Sequence, residues 1–139
     1  MEKTTIDVTW NDKMSFTTNV NGHEIIIDAP ENVGGQDKGP RPKPLMLVAL
    51  GGCTGMDVVS ILKKMRVEID GFNVKVEGEQ TDEHPKYFKK MHIIFEFQGK
   101  DLPMDKLEKA VSLSEERYCG VGALYRMAIE VTSEIRIVE

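Results

Sequence analysis

Two cysteines, Cys53 and Cys119, are the side chains of this sequence best suited to covalent chemistry. Cys53 lies in an apolar stretch beside Gly51 and Gly52, whose missing side chains would expose its sulfur. It is either a reactive thiolate or a small buried hydrophobe, which is the usual role of a free cysteine. A thiolate needs a nearby cation or a helix N-terminus. Asp57 follows one helical turn later and opposes ionisation, so a basic partner must come from elsewhere in the fold or from a second subunit.

Cys119 lies in the segment RYCGVG, at the predicted boundary between two helices. The glycines after it suit a thiol that must move, and packing at a helix junction explains it equally well. The two cysteines are 66 positions apart. They can act together only if the fold brings their Cα atoms within about 7 Å.

Metal chemistry has little support in the pattern. The sequence has neither a CxxC nor an HExxH motif, and His23, His84 and His92 are scattered along it. A zinc site built from Cys53, Cys119 and His84 would lack a recognisable ligand spacing. We therefore predict no metal and no bound cofactor.

Composition limits the class of protein. The chain has 139 residues, a net charge of −5 and no basic run, which argues against nucleic-acid and anionic-membrane binding. The length suits one domain, predicted over residues 1–139. The first residues lack a charged-then-apolar leader, so a cytoplasmic location with reduced thiols is expected. The uncharged stretch at 44–56 is too short for a membrane span.

The elements that must position the cysteines follow from periodicity. Alternating apolar residues predict strands within 4–29, with turns at Asn11-Asp12 and at Asn21-Gly22, the latter a strong hairpin signal. Residues 30–44 are rich in proline and glycine and form a long loop. A central helix is predicted over 44–66, and its first half, apolar on all sides, should be buried on all sides.

Strands return in the remaining part, 67–139. Alternation predicts two strands after Gly71, a helix from Met104 to about Tyr118, a third helical segment after Cys119, and a final strand from Ile129. The order is β-β-β-α-β-β-α-α-β. Strands on both sides of an apolar helix favour an α+β fold with antiparallel sheets over a parallel βαβ series.

Three motifs in this order resemble the OsmC/Ohr family of osmotically inducible and organic-hydroperoxide-resistance proteins, in its OsmC-like branch. They are ALGGC with a following DV, the His84-Pro85 pair, and the LS-x-E-x-YC-x-V pattern from Leu113 to Val121. The resemblance extends from about Thr5 to the end of the chain. It implies antiparallel sheets wrapped around two central helices, in an intertwined homodimer with active sites at the subunit interface.

The resemblance also implies a mechanism. Cys53 matches the peroxidatic cysteine, which attacks the O–O bond of a peroxide and becomes a sulfenic acid. Cys119 matches the resolving cysteine, which forms a disulfide with it, and an external dithiol restores both thiols. Organic hydroperoxides are expected as better substrates than hydrogen peroxide, with Gly51, Gly52 and Met56 lining the substrate pocket.

The sequence departs from the peroxidase pattern at two positions. The family's glutamate at the start of the cysteine helix falls at Lys43 or Pro44, and its N-terminal arginine has no counterpart before Arg41. Lys13, Arg41 and Lys43 are the candidates to stabilise the thiolate instead, although lysine lacks the guanidinium fork. The alternative is a non-catalytic or differently catalytic dimer that binds a small apolar or thiol-bearing ligand in the same pocket.

Overall fold

The computed structural model describes every residue from Met1 to Glu139 and divides into two compact units, Met1–Met46 and Leu47–Glu139. The elements occur in the predicted order, with three strands, a long helix, two strands, two helices and a final strand. The α+β class is therefore confirmed.

The N-terminal unit contains a three-stranded antiparallel sheet, in the order β1-β2-β3. Its strands are β1 (Val8–Asp12), β2 (Ser15–Val20) and β3 (His23–Ile27). Asn21 and Gly22 form the second turn with φ of 53° and 83°, which confirms the hairpin predicted there.

The first turn of this sheet lies two residues later than predicted. Asn11 and Asp12 remain in β1, whose register shifts between Trp10 and Asp12, and Lys13 turns the chain with φ of 51°. The Trp10 indole donates a hydrogen bond to the Lys13 carbonyl at 2.8 Å, and this bond holds the turn. The prediction at Asn11-Asp12 was wrong because a bulge absorbs those two residues.

The proline- and glycine-rich segment is an ordered loop with a short 3₁₀ turn at Glu31–Val33. The buried carboxylate of Asp28 accepts backbone N–H bonds from Ala29, Gln36 and Lys38. Burial alone would raise the pKa of Asp28, but these hydrogen bonds outweigh it and lower the pKa. One ionised carboxylate therefore accepts three backbone N–H hydrogen bonds of this loop.

The second unit contains the sheet β4-β5-β6 and the helices that follow α1. Its elements are α1 (Pro44–Lys64, from Leu47 onward in this unit), β4 (Gly71–Gln80), β5 (Phe88–Gln98), α2 (Met104–Leu113), a π-helical turn (Ser114–Tyr118), α3 (Gly120–Arg126) and β6 (Glu130–Val138). β4 and β5 pair antiparallel, whereas β5 and β6 pair parallel. The parallel pair departs from the predicted antiparallel sheets, because the helical connection between β5 and β6 is long enough for a crossover.

The core of this unit lies between α1, α2 and the sheet. Its fully buried apolar residues are Leu50, Val58, Leu62, Met91, Ile93, Phe95, Phe97, Leu107 and Ala110. Gly51 and Gly55 let α1 approach β4 closely, since a Cβ at either position would stand 3.2 Å from a valine methyl group of β4.

The helix α1 is buried on one face only, which corrects the expectation of burial on all sides. Val48, Met56 and Val59 are 66%, 77% and 47% exposed in the single chain, because the core contacts only the opposite face. The helix also continues past Asp57 to Lys64, so by length and composition it is able to cross a membrane. The core helix of a soluble protein meets the same criterion, and Leu50 of α1 is fully buried in this core.

Candidate thiol site

The two cysteines meet in space within the second unit. Cys53 and Asp57 lie one turn apart on α1, and Cys119 lies between the π-helical turn and α3. The two sulfur atoms and a carboxylate oxygen of Asp57 all lie within 4.8 Å of one another. Both cysteines are free thiols. The fold therefore brings together two thiols whose proximity the sequence left open.

A change of helix type places Cys119 at the site. The predicted helix ends as α2 at Leu113 and continues as a π-helical turn, in which the Cys119 amide donates to the Ser114 carbonyl at 2.8 Å. Cys119 then leaves the helical conformation and becomes the N-cap of α3. Its sulfur accepts a hydrogen bond from the Gly122 amide at 3.3 Å. The thiol is thus fixed by the backbone on both sides.

The surroundings of Cys119 favour its protonated form. Burial is the largest cause and raises the pKa of the Cys119 thiol to about 11, from an ordinary value of 9.0. The hydrogen bond from Gly122 opposes this shift, while the hydrogen bond to Cys53 and the charges of Cys53 and Asp57 add to it. Burial and the charge of Cys119 also raise the pKa of the neighbouring Tyr125.

A buried chain of hydroxyl groups holds the carboxylate of the site. The Ser114 hydroxyl donates to Oδ2 of Asp57 at 2.9 Å and lies 2.7 Å from the Thr54 hydroxyl. Since a serine hydroxyl has one proton, Thr54 must be the donor to Ser114. Thr54 and Ser114 are 1% and 0% exposed. These two hydrogen bonds fix the orientation of the Asp57 carboxylate beside the thiols.

Access to the site differs between its members. Cys53 and Asp57 are half-buried, whereas Cys119 is only 3% exposed. A cleft of about 360 Å³ opens beside Asp57 and lies between α1 and the π-helical turn. It is lined by Asp57, Ser60, Ile61, Lys64, Met65, Leu113 and Tyr118. A small molecule entering here reaches the carboxylate side of the thiol pair.

The three residues predicted for the substrate pocket line apolar clefts on α1 that do not include either sulfur. Gly51 and Gly52 border a cleft of about 410 Å³ against β4, and Gly52 and Met56 border another of about 510 Å³. A Cβ at Gly52 would meet no atom within 4 Å. Their role in substrate binding stays a prediction.

The three predicted thiolate-stabilising residues all belong to the N-terminal unit. Lys13 is in the first hairpin turn, and Lys43 directly precedes α1. Arg41 donates to the carboxylate of Asp37 and to the carbonyl of Gly39. Their proposed role toward Cys53 stays a prediction.

Sequence reasoning did not anticipate a cation that lies beside Cys119 in the second unit. Nη1 of Arg126 and the sulfur of Cys119 stand 2.9 and 3.4 Å from the position that a Cβ would take on Gly122. Arg126 is held there by an ion pair with Glu115 at 3.0 Å. Glu115 also accepts a hydrogen bond from Ser133 of β6. No local motif marks this pair, because its members are joined only by the fold.

Comparisons with known proteins agree on one family. A family model described as OsmC-like protein matches residues 35–134. Protein YhfA of Escherichia coli (strain K12) is 36% identical over 132 residues, which cover 94% of this chain and 96% of that protein. The structure of a hypothetical protein from Aquifex aeolicus VF5 superposes over 100% of this chain and 100% of that chain, with a TM-score of 0.82 and 30% identity. The organic hydroperoxide resistance protein OhrB of Bacillus subtilis shares the fold, with a TM-score of 0.61 and 22% identity over 96% of this chain and 98% of that chain.

Proposed function

This chain belongs to the OsmC-like family, and from that premise we propose that it is a thiol-dependent peroxidase that reduces organic hydroperoxides. The observation that supports this most directly is the approach of two sulfur atoms to within 4.8 Å from positions 66 residues apart in the sequence. A short movement would bring them to bonding distance. The name of the Bacillus subtilis protein of the same fold, an organic hydroperoxide resistance protein, points to the same substrate class.

Burial and charge support a division of labour between the cysteines. Cys53 is the more accessible sulfur, so it is assigned the attack on the peroxide. Cys119 is buried and its pKa is raised to about 11, so near neutral pH it is a thiol and a poor first nucleophile. The interaction with Cys53 is one of the causes that raise this pKa, so it favours the protonated form of Cys119.

The proposed cycle balances in three steps. The Cys53 thiolate attacks the outer oxygen of ROOH, the O–O bond breaks, and RO⁻ takes up a proton to leave as the alcohol, with Cys53 oxidised to a sulfenic acid. The Cys119 sulfur then attacks the sulfur of this sulfenic acid, and water leaves as the disulfide forms. An external dithiol reduces the disulfide and is itself oxidised to a disulfide.

The proposal includes a homodimer, as the family resemblance implies. Val48, Met56 and Val59 form an exposed apolar face on α1 that a second chain would cover. Apolar clefts of about 410 and 510 Å³ adjoin this face and suit the carbon skeleton of an organic hydroperoxide better than hydrogen peroxide. A cytoplasmic location with a dithiol donor completes the proposal.

The test is peroxide consumption by reduced, metal-free protein with cumene hydroperoxide and with hydrogen peroxide, and with dihydrolipoamide as donor. Cys53→Ser is expected to abolish turnover. Cys119→Ser is expected to complete the first step and stop, leaving a sulfenic acid that dimedone traps. Serine keeps the N-cap of α3, so this variant should fold.

Ser112→Ala, a change on the neighbouring helix that leaves both thiols intact, is the matched control and should turn over at the wild-type rate. Equal turnover by wild type and Cys53→Ser would refute the proposal. The second candidate, binding of a small apolar or thiol-bearing ligand, is favoured by one observation: neither cleft is lined by Cys53 or by Cys119. Ligand binding without Cys53-dependent turnover would support it.

A further inference from the structure

The thiol site also has the donor set of a metal centre. We propose that the reduced protein binds one zinc ion, or another divalent cation that prefers sulfur, through Cys53, Cys119 and Asp57. This goes beyond the proposed peroxidase function, and it revises the prediction of no metal made from the sequence pattern. His84, the third ligand considered from the sequence, does not belong to the cluster of possible ligand atoms, and Asp57 takes its place.

The distances suit a tetrahedral ion. With Zn–S bonds of about 2.3 Å and Zn–O bonds of about 2.0–2.2 Å, neighbouring ligand atoms stand roughly 3.5–3.8 Å apart. The three donor atoms already lie within 4.8 Å of one another, so each pair needs to close by only about 1 Å. Two thiolates with one carboxylate favour zinc over magnesium or calcium, which prefer oxygen ligands alone.

The groups around these donors would orient them for an ion. The Ser114 hydroxyl donates to Oδ2 of Asp57 and so fixes the orientation of the carboxylate beside the two sulfurs. The Gly122 amide donates to the sulfur of Cys119, an arrangement that suits a metal-bound thiolate. Partners of this kind fix ligands in metal sites and raise the affinity for the ion.

The negative charge of the three ligands also favours binding of a cation. With both thiols ionised, the cluster would hold three negative groups in a space of 4.8 Å. A divalent cation neutralises two of these charges, and its binding releases one proton from each thiol. The cleft of about 360 Å³ beside Asp57 gives the ion a route of entry and leaves room for water as a fourth ligand.

The test is a titration of reduced, chelator-stripped protein with Zn²⁺ against a chromophoric chelator. Cd²⁺ in place of Zn²⁺ reports thiolate ligation directly through its ultraviolet charge-transfer absorption. We expect one ion per chain. Cys53→Ser and Cys119→Ser should each lose at least half of the thiolate absorption, and Asp57→Asn should weaken binding by about tenfold or more. Asp105→Asn, an exposed carboxylate of α2, is the matched control and should bind as wild type does.

The outcomes separate this inference from the peroxidase proposal, because the titration does not depend on turnover. Zinc binding that needs Cys53, Cys119 and Asp57 supports the metal site even in a protein without peroxidase activity. No binding, or binding that all three substitutions leave unchanged, overturns it even in an active peroxidase. In an active protein, zinc should also block turnover, and a chelator should restore it.

Discussion

The hydroxyl chain of Thr54, Ser114 and Asp57 gives the sharpest quantitative prediction. Ser114→Ala leaves the Thr54 hydroxyl without its acceptor in a fully buried position and removes a hydrogen bond to a carboxylate. An unsatisfied buried hydroxyl costs about 1–3 kcal/mol, and a hydrogen bond to a charged group contributes about 1.5–3 kcal/mol. We expect the free energy of unfolding to fall by about 2.5–6 kcal/mol, the sum of the two contributions. The lower value applies where the Thr54 hydroxyl instead donates to the backbone carbonyl one turn earlier in α1, because it is then no longer unsatisfied.

A double-mutant cycle separates the hydrogen bonds from simple loss of packing. Thr54→Val keeps the shape of the side chain and should cost about 1 kcal/mol, since Ser114 still donates to Asp57. In the double variant, position 54 is a valine, so no buried hydroxyl is left without a hydrogen-bond partner. Its cost should therefore fall short of the sum of the single costs by about 1–2 kcal/mol.

The assay is urea unfolding of reduced, metal-free protein at one fixed chain concentration, because an oligomer would make stability depend on concentration. The dependence of the free energy on urea must be the same in all variants for the comparison to hold. Ser112→Ala, a half-buried serine two residues away on α2, is the control and should change stability by less than about 0.5 kcal/mol. Single costs that add within about 0.5 kcal/mol would refute the reasoning, because they would show that Thr54 and Ser114 do not depend on each other.

Two further predictions concern the helix glycines and pH. Gly51→Ala should destabilise the protein, since its Cβ would meet Val76 at 3.2 Å, whereas Gly52→Ala meets nothing and should gain about 1 kcal/mol of helix propensity in urea unfolding. A Gly52→Ala variant that is less stable than wild type would instead show that a second chain packs against this position. Because the folded state keeps the Cys119 proton up to a pKa of about 11 while the unfolded thiol releases it near 9.0, stability should fall as pH rises through that interval. Cys119→Ser should lack this part of the fall when both are unfolded in reducing buffer with a chelator, and an identical pH dependence in the two proteins would contradict the argument.

Local patterns predicted the secondary structure well, because each depends on neighbours in the chain. The order of elements and the Asn21-Gly22 hairpin followed from alternation and turn chemistry. The proximity of Asp57 to Cys53 followed from helical spacing. The first hairpin turn was misplaced because a bulge depends on pairing with β2, which alternation in one strand does not report.

Features that depend on distant segments could not be predicted in this way. Nothing near Cys53 in the sequence indicates that Ser114 would hold Asp57 or that Arg126 would lie beside Cys119. The parallel pairing of β5 with β6 likewise results from the crossover. Each strand has an ordinary alternating pattern, and alternation does not indicate whether two strands pair parallel or antiparallel. The exposed face of α1 differs for another reason. Its composition indicates burial, but the core of the single chain contacts only the opposite face of the helix.

The parallel pairing of β5 with β6 has a consequence for the newly synthesised protein. Cys119 lies within the crossover between these strands. The Ser133 hydroxyl of β6 donates a hydrogen bond to Glu115, which belongs to the same crossover. We therefore expect the thiol pair to be completed only after β6 has been made and has docked. Such non-local pairing is the slow kind of folding event. Until then Cys53 has no neighbouring sulfur, and an oxidant that reaches it can carry it past the sulfenic acid to the irreversible sulfinic acid. The chain is most vulnerable to the peroxides it is proposed to remove during its own synthesis.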